Sequence, residues 1–211
     1  MTAQSGSANI SARRVVLRDS TDARALRTRQ GMIDALGRMA QRDADVTVSA
    51  LVREAGISRG TFYTHYSGLE ELAGELQTTI VHDIAGWERE RAHHDPDEAF
   101  LSRRESIAQA MRMVVAHYAE YRTFYAAVFA LPTSLQSTHP LVEALADELH
   151  RHIVGDAQTP DGVNAQMASL FMAGGWATLI SEWVLGRIEA SEDDVTRHLV
   201  DLLPEWMYRL R

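Results

Sequence analysis

Apolar positions recur three and four residues apart along most of this chain, the spacing of helices that each bury one face. No strand-like alternation of useful length and no internal repeat interrupts that pattern. It predicts a first helix over residues 22–42, capped by Ser20 or Thr21, and a loop over 43–46. Val48, Leu51, Val52 and Ala55 then form one apolar stripe on a short helix, with Thr47 placed to cap it through its hydroxyl. Gly56 follows the last apolar position, where a left-handed residue ends a helix, and Ile57 returns to the core. Ser58 is placed to cap a second short helix. Phe62 and Tyr66, four apart, face inward on it, which puts Arg59, Thr61, Tyr63, Thr64 and His65 on its outer faces.

A further helix starts at Leu69, with Glu70 and Glu71 in the first turn where the helix dipole favours acids. It ends near Thr78 or merges into a stretch at 79–91 that carries Ile80, Ile84 and Trp87 at helical spacing. His93, His94, Asp95, Pro96 and Asp97 break the pattern, and helices follow at 97–119, 122–129 and 141–154. Leu131-Pro132 and His139-Pro140 read as loop edges, and 155–162 as a loop. Residues 163–186 are apolar on more than one face, and residues 192–210, capped by Ser191, close the chain. A helix apolar nearly all round needs partners on every side.

Two short helices joined by a tight turn form a helix-turn-helix, whose second helix is built to lie in the major groove of DNA. The side chains on its outer faces reach phosphates or base edges, and none is acidic. The stretch VTVSALVREAGISRGTFYTHYSGLEEL, residues 46–72, resembles the TetR family of transcriptional regulators. Thr47, Val48, Leu51, Ala55, Gly56, Ile57, Ser58, Gly60, Thr61, Phe62, Tyr63, His65, Tyr66, Glu70, Glu71 and Leu72 carry the resemblance, and residues 28–36 look like that family's first helix. Two positions depart from it. Leu69 stands where the family usually has a phosphate-touching lysine, and Val52 where it usually has alanine. Gly31 and Gly37 inside the first helix each cost about 1 kcal/mol relative to alanine, so that helix depends on packing.

The resemblance implies an all-α fold. A flexible basic arm (1–20) leads into an N-terminal three-helix helix-turn-helix domain (21–74), and a C-terminal helical ligand-binding and dimerisation domain (75–211) follows. It implies a homodimer on a palindromic double-stranded operator, with a repressor released by a small apolar or aromatic effector as the expected activity. Ser58 and Gly60 open the recognition helix; Arg59, Thr61 and Thr64 are expected toward bases, and Thr47, Tyr63 and His65 toward phosphates. The last helices are expected to form a four-helix bundle between subunits, through Trp183, Leu199, Leu203 and Trp206. A cavity in the body would be walled by Trp87, Phe100, Met111, Tyr121, Phe124 and Tyr125, together with Met172 and Trp176. Arg112, His117 and Tyr118 would supply its polar contacts.

Charge supports that division. The net charge of −8 seems wrong for a DNA reader, but residues 1–60 carry +4 and residues 61–211 carry −12. Arg13, Arg14 and Arg18 lie on the arm, where they reach a minor groove or stay solvated. No cysteine is present, which excludes disulfides and thiolate chemistry and suits the cytoplasm. No apolar run of eighteen residues is present and the N-terminus lacks the pattern of a secretory signal, so no membrane is expected. His93, His94, Asp95 and Asp97 make a metal-like cluster on paper, read here as a solvated loop, and His150 and His152 point different ways on one helix. No nucleophile elbow, Walker loop or dinucleotide fingerprint occurs, so no catalytic residue, metal or cofactor is assigned. The alternatives are a small-molecule enzyme on a helical bundle and a helical interaction module with weakened DNA binding.

Overall fold

The computed structural model describes residues 23–94, 103–131, 134–155, 157 and 159–209, with side chains at 87–94, 103 and 134–137 outside the description. Among the described residues the chain is all-α and holds no strand. In order, α1 is Ala23–Ala40, α2 Val48–Glu54, α3 Arg59–His65, α4 Leu69–His94, α5 Arg103–Glu120, α6 Arg122–Phe129, α7 Ser134–Gly155, α8 Ala165–Val184 and α9 Glu192–Asp201. A 3₁₀ turn at Glu205–Tyr208 follows. The helices form two compact units: one runs to Ala73 and takes in Glu120–Val128, and the other is Gly74–Ala119 with Phe129–Arg211.

The first unit is built on α1. Ala25, Met32, Ala35, Leu36 and Met39 recur at helical spacing and are buried, and they share a core with Leu51, Phe62, Tyr66 and Leu72. Phe124, Tyr125 and Val128 of α6 belong to the same unit and are equally buried. A β-carbon at Gly37 would meet the Tyr121 hydroxyl at 3.6 Å, an ordinary van der Waals contact. The Thr123 hydroxyl donates to the Asp43 carboxylate. Burial pushes the Tyr121 phenol above its ordinary pKa, with Glu120 and Asp34 adding to the effect.

In the second unit α7 and α8 make the most extensive helix–helix contact. Asn164 caps α8 by accepting from the Met167 amide at 3.0 Å, and Ser191 caps α9 by accepting from the Asp194 amide at 3.1 Å. The Trp183 indole donates to the Ala190 carbonyl at 2.9 Å, which fixes the α8–α9 turn. Arg104 pairs with Asp201 and lies 5.4 Å from the centre of the Tyr208 ring, tying α5 to the C-terminal turn.

Three boundaries differ from the reading of the sequence. First, α4 continues through Thr78, one of the two expected alternatives, but reaches His94 instead of breaking at His93. Second, His139-Pro140 is no loop edge: α7 begins at Ser134 and passes through Pro140. The proline gives up a backbone donor, but its ring lies so close to Gly74 that a β-carbon there would approach its Cγ to 3.0 Å. Close packing against α4 therefore offsets the lost hydrogen bond. Third, the last helix stops at Asp201, because Pro204 restarts the chain as the 3₁₀ turn. The arm at 1–20, Phe100, Asp95 and Asp97 lie outside the described residues, as does the Trp87 side chain.

Candidate nucleic-acid interface

The turn between α2 and α3 is set by its caps. Thr47 accepts from the Ala50 amide at 3.1 Å at the start of α2. At its end Gly56 takes φ +67, the Ile57 amide donates to the Val52 carbonyl at 3.0 Å, and the Gly56 amide donates to the Arg53 carbonyl at 3.3 Å. Those paired bonds are a Schellman motif, which needs a left-handed residue and so selects glycine. Ser58 then accepts from the Thr61 amide at 3.0 Å and opens α3. The orientation of α3 thus follows from three local choices, at Thr47, Gly56 and Ser58.

Arg38 of α1 and Arg42, just beyond its end, fix α2 through Glu54. Arg38 Nε donates to Glu54 Oε1 at 2.9 Å and Arg42 to Oε2 at 2.8 Å, while Arg38 also reaches the Glu54 carbonyl at 3.2 Å. The hydrogen bonds from Arg38 and then Arg42 hold the Glu54 carboxyl below its ordinary pKa. These cations serve the interior of the motif. Their i, i+4 spacing opposite an acid at the end of α2 was the signal in the sequence, and the reading of it missed them.

On α3, Arg59, Gly60 and Tyr63 are exposed, as are Ser58 and Thr47 beside it, and Thr61 and Thr64 are partly so. The Thr64 hydroxyl donates to the Gly60 carbonyl at 2.8 Å, and the Thr61 and Ser58 hydroxyls meet at 2.9 Å. Tyr63 packs edge-on against Phe62, with ring centres 5.4 Å apart, which steadies a ring whose hydroxyl stays in solvent. One assignment needs correction. His65 is buried, its ring 6.4 Å from that of Tyr66, and so does not lie on the outer face with Tyr63. Phe62, His65 and Tyr66 sit at i, i+3 and i+4, the inner arc of a helix. What α3 offers outward is one guanidinium, one phenol and two threonine hydroxyls, with no acid among them.

The residues expected around a ligand divide between the two units. Tyr121, Phe124 and Tyr125 belong to the first. Met111, Tyr118, Met172 and Trp176 are buried in the second, with His117 half-buried beside them. The His117 and Tyr118 rings meet edge-on at 5.7 Å, and Phe129 stacks on Tyr118 at 6.3 Å. Burial holds His117 down to about 4 and raises the Tyr118 phenol far above its ordinary value. Arg112 is exposed and donates twice to Gln109, at 3.0 and 2.7 Å, so it does not face that interior. Gln77, on α4 and fully buried, was not anticipated.

The residues expected between subunits are also placed differently. Trp183, Leu199 and Leu203 are buried within the single chain and Trp206 is half-buried, so the first three have almost no surface for a partner. The second apolar face of α8 lies elsewhere: Met167, Leu170 and Phe171 are 73, 56 and 83% exposed, at i, i+3 and i+4. Beside them, Glu143, Ala146, Asp147 and His150 of α7 and Gln166, Ser169 and Leu170 of α8 line a groove of about 690 Å³. His152 instead bonds the Met207 carbonyl at 2.9 Å, so the two histidines do point apart. Among the described residues no cluster of three acids or histidines is placed to hold a metal, and no helix is long and apolar enough to cross a membrane.

An acid-free recognition helix, held on a buried three-helix core by capped turns, defines a helix-turn-helix regulator of transcription. Residues 35–76 match the model of bacterial regulatory proteins of the tetR family. No curated protein matches the chain. Among solved structures it is similar to Thermus thermophilus FadR, a TetR-family transcriptional repressor in complex with lauroyl-CoA. The identity is 12% and the TM-score 0.49, over 82% of this chain and 92% of that one. A likeness at that level says nothing about ligand or operator.

Proposed function

We propose that two copies of this chain bind a palindromic operator as a repressor in the cytoplasm, and that a small apolar or aromatic effector in the C-terminal unit releases them. The observation that carries this reading is the outward face of α3, where Arg59, Thr61, Tyr63 and Thr64 stand without an acid among them. Arg59, Thr61 and Thr64 are assigned to base edges, and Thr47, Ser58, Gly60 and Tyr63 to the phosphate backbone. Pairing is supported by Met167, Leu170 and Phe171, which a solitary chain would leave in water. A two-fold pair sets two recognition helices at the spacing of successive major-groove faces. An effector changes operator affinity only through its different affinity for the DNA-competent and incompetent states. The protein acts by binding, and no reaction is assigned to it.

The test is a mobility-shift assay with the purified chain and the duplex upstream of its own gene. Retardation is expected, and it weakens with salt as phosphate contacts are screened. Tyr63→Phe should weaken operator and random duplex alike. Arg59→Ala should also cost about 1–3 kcal/mol of discrimination between them. Failure to retard any duplex at low ionic strength refutes the proposal, and equal losses for Arg59→Ala on both duplexes remove its base-reading role.

A further inference from the structure

The outward face of α8 carries an order along its length that mere exposure does not require. At helical spacing it presents Met167, Leu170, Phe171, Gly174, Gly175 and Thr178, opposite the buried face of Met172, Trp176, Ile180 and Trp183. The first three are large and stand mostly in water, at 73, 56 and 83% exposure. The last three are small. Nothing in the chain's own packing calls for glycine there: a β-carbon at Gly174 or Gly175 would meet nothing within 4 Å, and neither has a positive φ. Glycine inside a helix opposes folding relative to alanine, so two in succession run against local propensity. The Thr178 hydroxyl donates to the Gly174 carbonyl at 2.8 Å, which leaves no unbonded donor on that side chain.

The large and small positions are arranged about one point. Met167 and Thr178, Leu170 and Gly175, and Phe171 and Gly174 all share a midpoint between Met172 and Ala173. Turning the helix end over end about that point lays every large side chain on a small one. A two-fold pair does this, because residue i then meets residue j while j meets i. An unrelated partner imposes no such relation within one sequence. Charge agrees: the chain carries a net −8, yet residues 165–181 hold no charged side chain, so two copies meet there without like-charge repulsion. Area agrees as well. The three large side chains expose a patch on the order of 400 Å², the size that marks an association site. Closing two copies buries both patches and the surfaces that receive them, which approaches the about 1,200 Å² at which specific interfaces begin.

We propose that two copies of α8 pack antiparallel across this point, with Phe171 of each chain seated over Gly174 of the other. The inference rests on the reading that two copies of the chain pair, and it specifies their register. Leu170 then lies against Gly175 of the second copy, and Met167 against its Thr178. Two glycines without side chains let the helices approach closely, so the phenyl ring packs on main chain instead of on side-chain tips.

The chain contains no cysteine, so introduced thiols report the register without background. Positions 167 and 178 lie about 16 Å apart along one helix, too far for a disulfide within a chain. In the proposed register each 167 lies beside the 178 of the other copy, and like positions are as far apart as 167 and 178 are in one chain. Mild oxidation of the full-length protein carrying both Met167→Cys and Thr178→Cys is expected to give a covalent dimer on a non-reducing gel. Either substitution alone is expected to give none, and a mixture of the two single variants is expected to give one. Gly174→Leu fills the space that receives Phe171, and should raise the dimer dissociation constant at least about tenfold in sedimentation velocity. Adding Phe171→Ala to Gly174→Leu should recover most of that loss, because the enlarged position then faces a small one. The proposal is overturned if a single cysteine variant crosslinks to its own copy, if the double variant does not crosslink, or if Gly174→Leu dimerises like the parent. A parent that sediments as a monomer throughout overturns the pairing itself, whereas a dimeric parent with any of those three outcomes overturns the register alone.

Discussion

The exposed face of α8 gives a prediction whose size follows from the structure. Phe171 keeps 83% of its surface in water, Met167 73% and Leu170 56%, on adjacent positions of one helix. Fully burying a side chain of this size stabilises by about 1.5–3 kcal/mol. A two-fold pairing presents the same patch from both chains, so each side chain counts twice. Phe171→Asp therefore removes about 3–6 kcal/mol from association and leaves a carboxylate to desolvate. The dimer dissociation constant should rise by roughly 10²- to 10⁴-fold. Sedimentation velocity over a concentration series measures it directly. Leu202→Asp is the matched control, because Leu202 is 74% exposed but lies at the end of α9 and is not part of the α8 stripe. Phe171→Asp should sediment as a monomer where the parent and Leu202→Asp sediment as dimers, and operator affinity should fall with the dimer. If Phe171→Asp dimerises like the parent, or the parent is monomeric throughout, the assignment of this face is wrong.

Other outcomes follow from single residues. Gly56→Ala forces an alanine to φ +67 at the end of α2 and should cost about 1–2 kcal/mol, read as a lower urea midpoint; an unchanged midpoint would show that the turn relaxes. His117 has an ordinary pKa of 6.5 and is held to about 4 when folded, so between those values the unfolded chain binds a proton that the folded chain does not. The stability it contributes is present above about pH 6.5 and drains away as pH falls toward 4; melting temperature should slope across that window, and His117→Gln should flatten it. Leu69→Lys restores a cation at the start of α4 and should steepen the salt dependence of operator affinity by about one unit per subunit, measured as the slope of log affinity on log salt.

The helix-turn-helix was legible because its signals are local and redundant. Thr47, Gly56 and Ser58 each encode one cap, and each cap appears in the structure at the residue that predicts it. Misreadings arise where the deciding interaction is distant. His65 was placed outward by its polarity, while its three-residue offset from Phe62 puts it inside. Pro140 reads as a break until its contact with Gly74 is known, and that pair is 66 residues apart in the chain. For α8 the sequence reveals two apolar faces without saying which is inner; the Trp183 bond to Ala190 and the burial of Met172, Trp176, Ile180, Trp183 and Val184 decide it. Gln77 was unreadable for a simpler reason, since a glutamine in a helix is usually a surface residue. That α6 joins the core of the first unit follows from non-local packing alone.

Packing by itself does not account for two exposed side chains. It would put a polar one at Phe171 and has no preference for arginine at Arg59. Each choice runs against stability or is neutral to it, and a sequence under selection for folding alone does not retain such conflicts in the company of an otherwise consistent core. Each also has a different remedy: an apolar surface for the phenylalanine, and a phosphate or guanine edge for the guanidinium. Under the proposed function those two remedies are a second copy of the chain and DNA. Replacing either side chain by one that packing tolerates equally should leave the fold intact and remove one partner, which separates the two roles more cleanly than any change to the core.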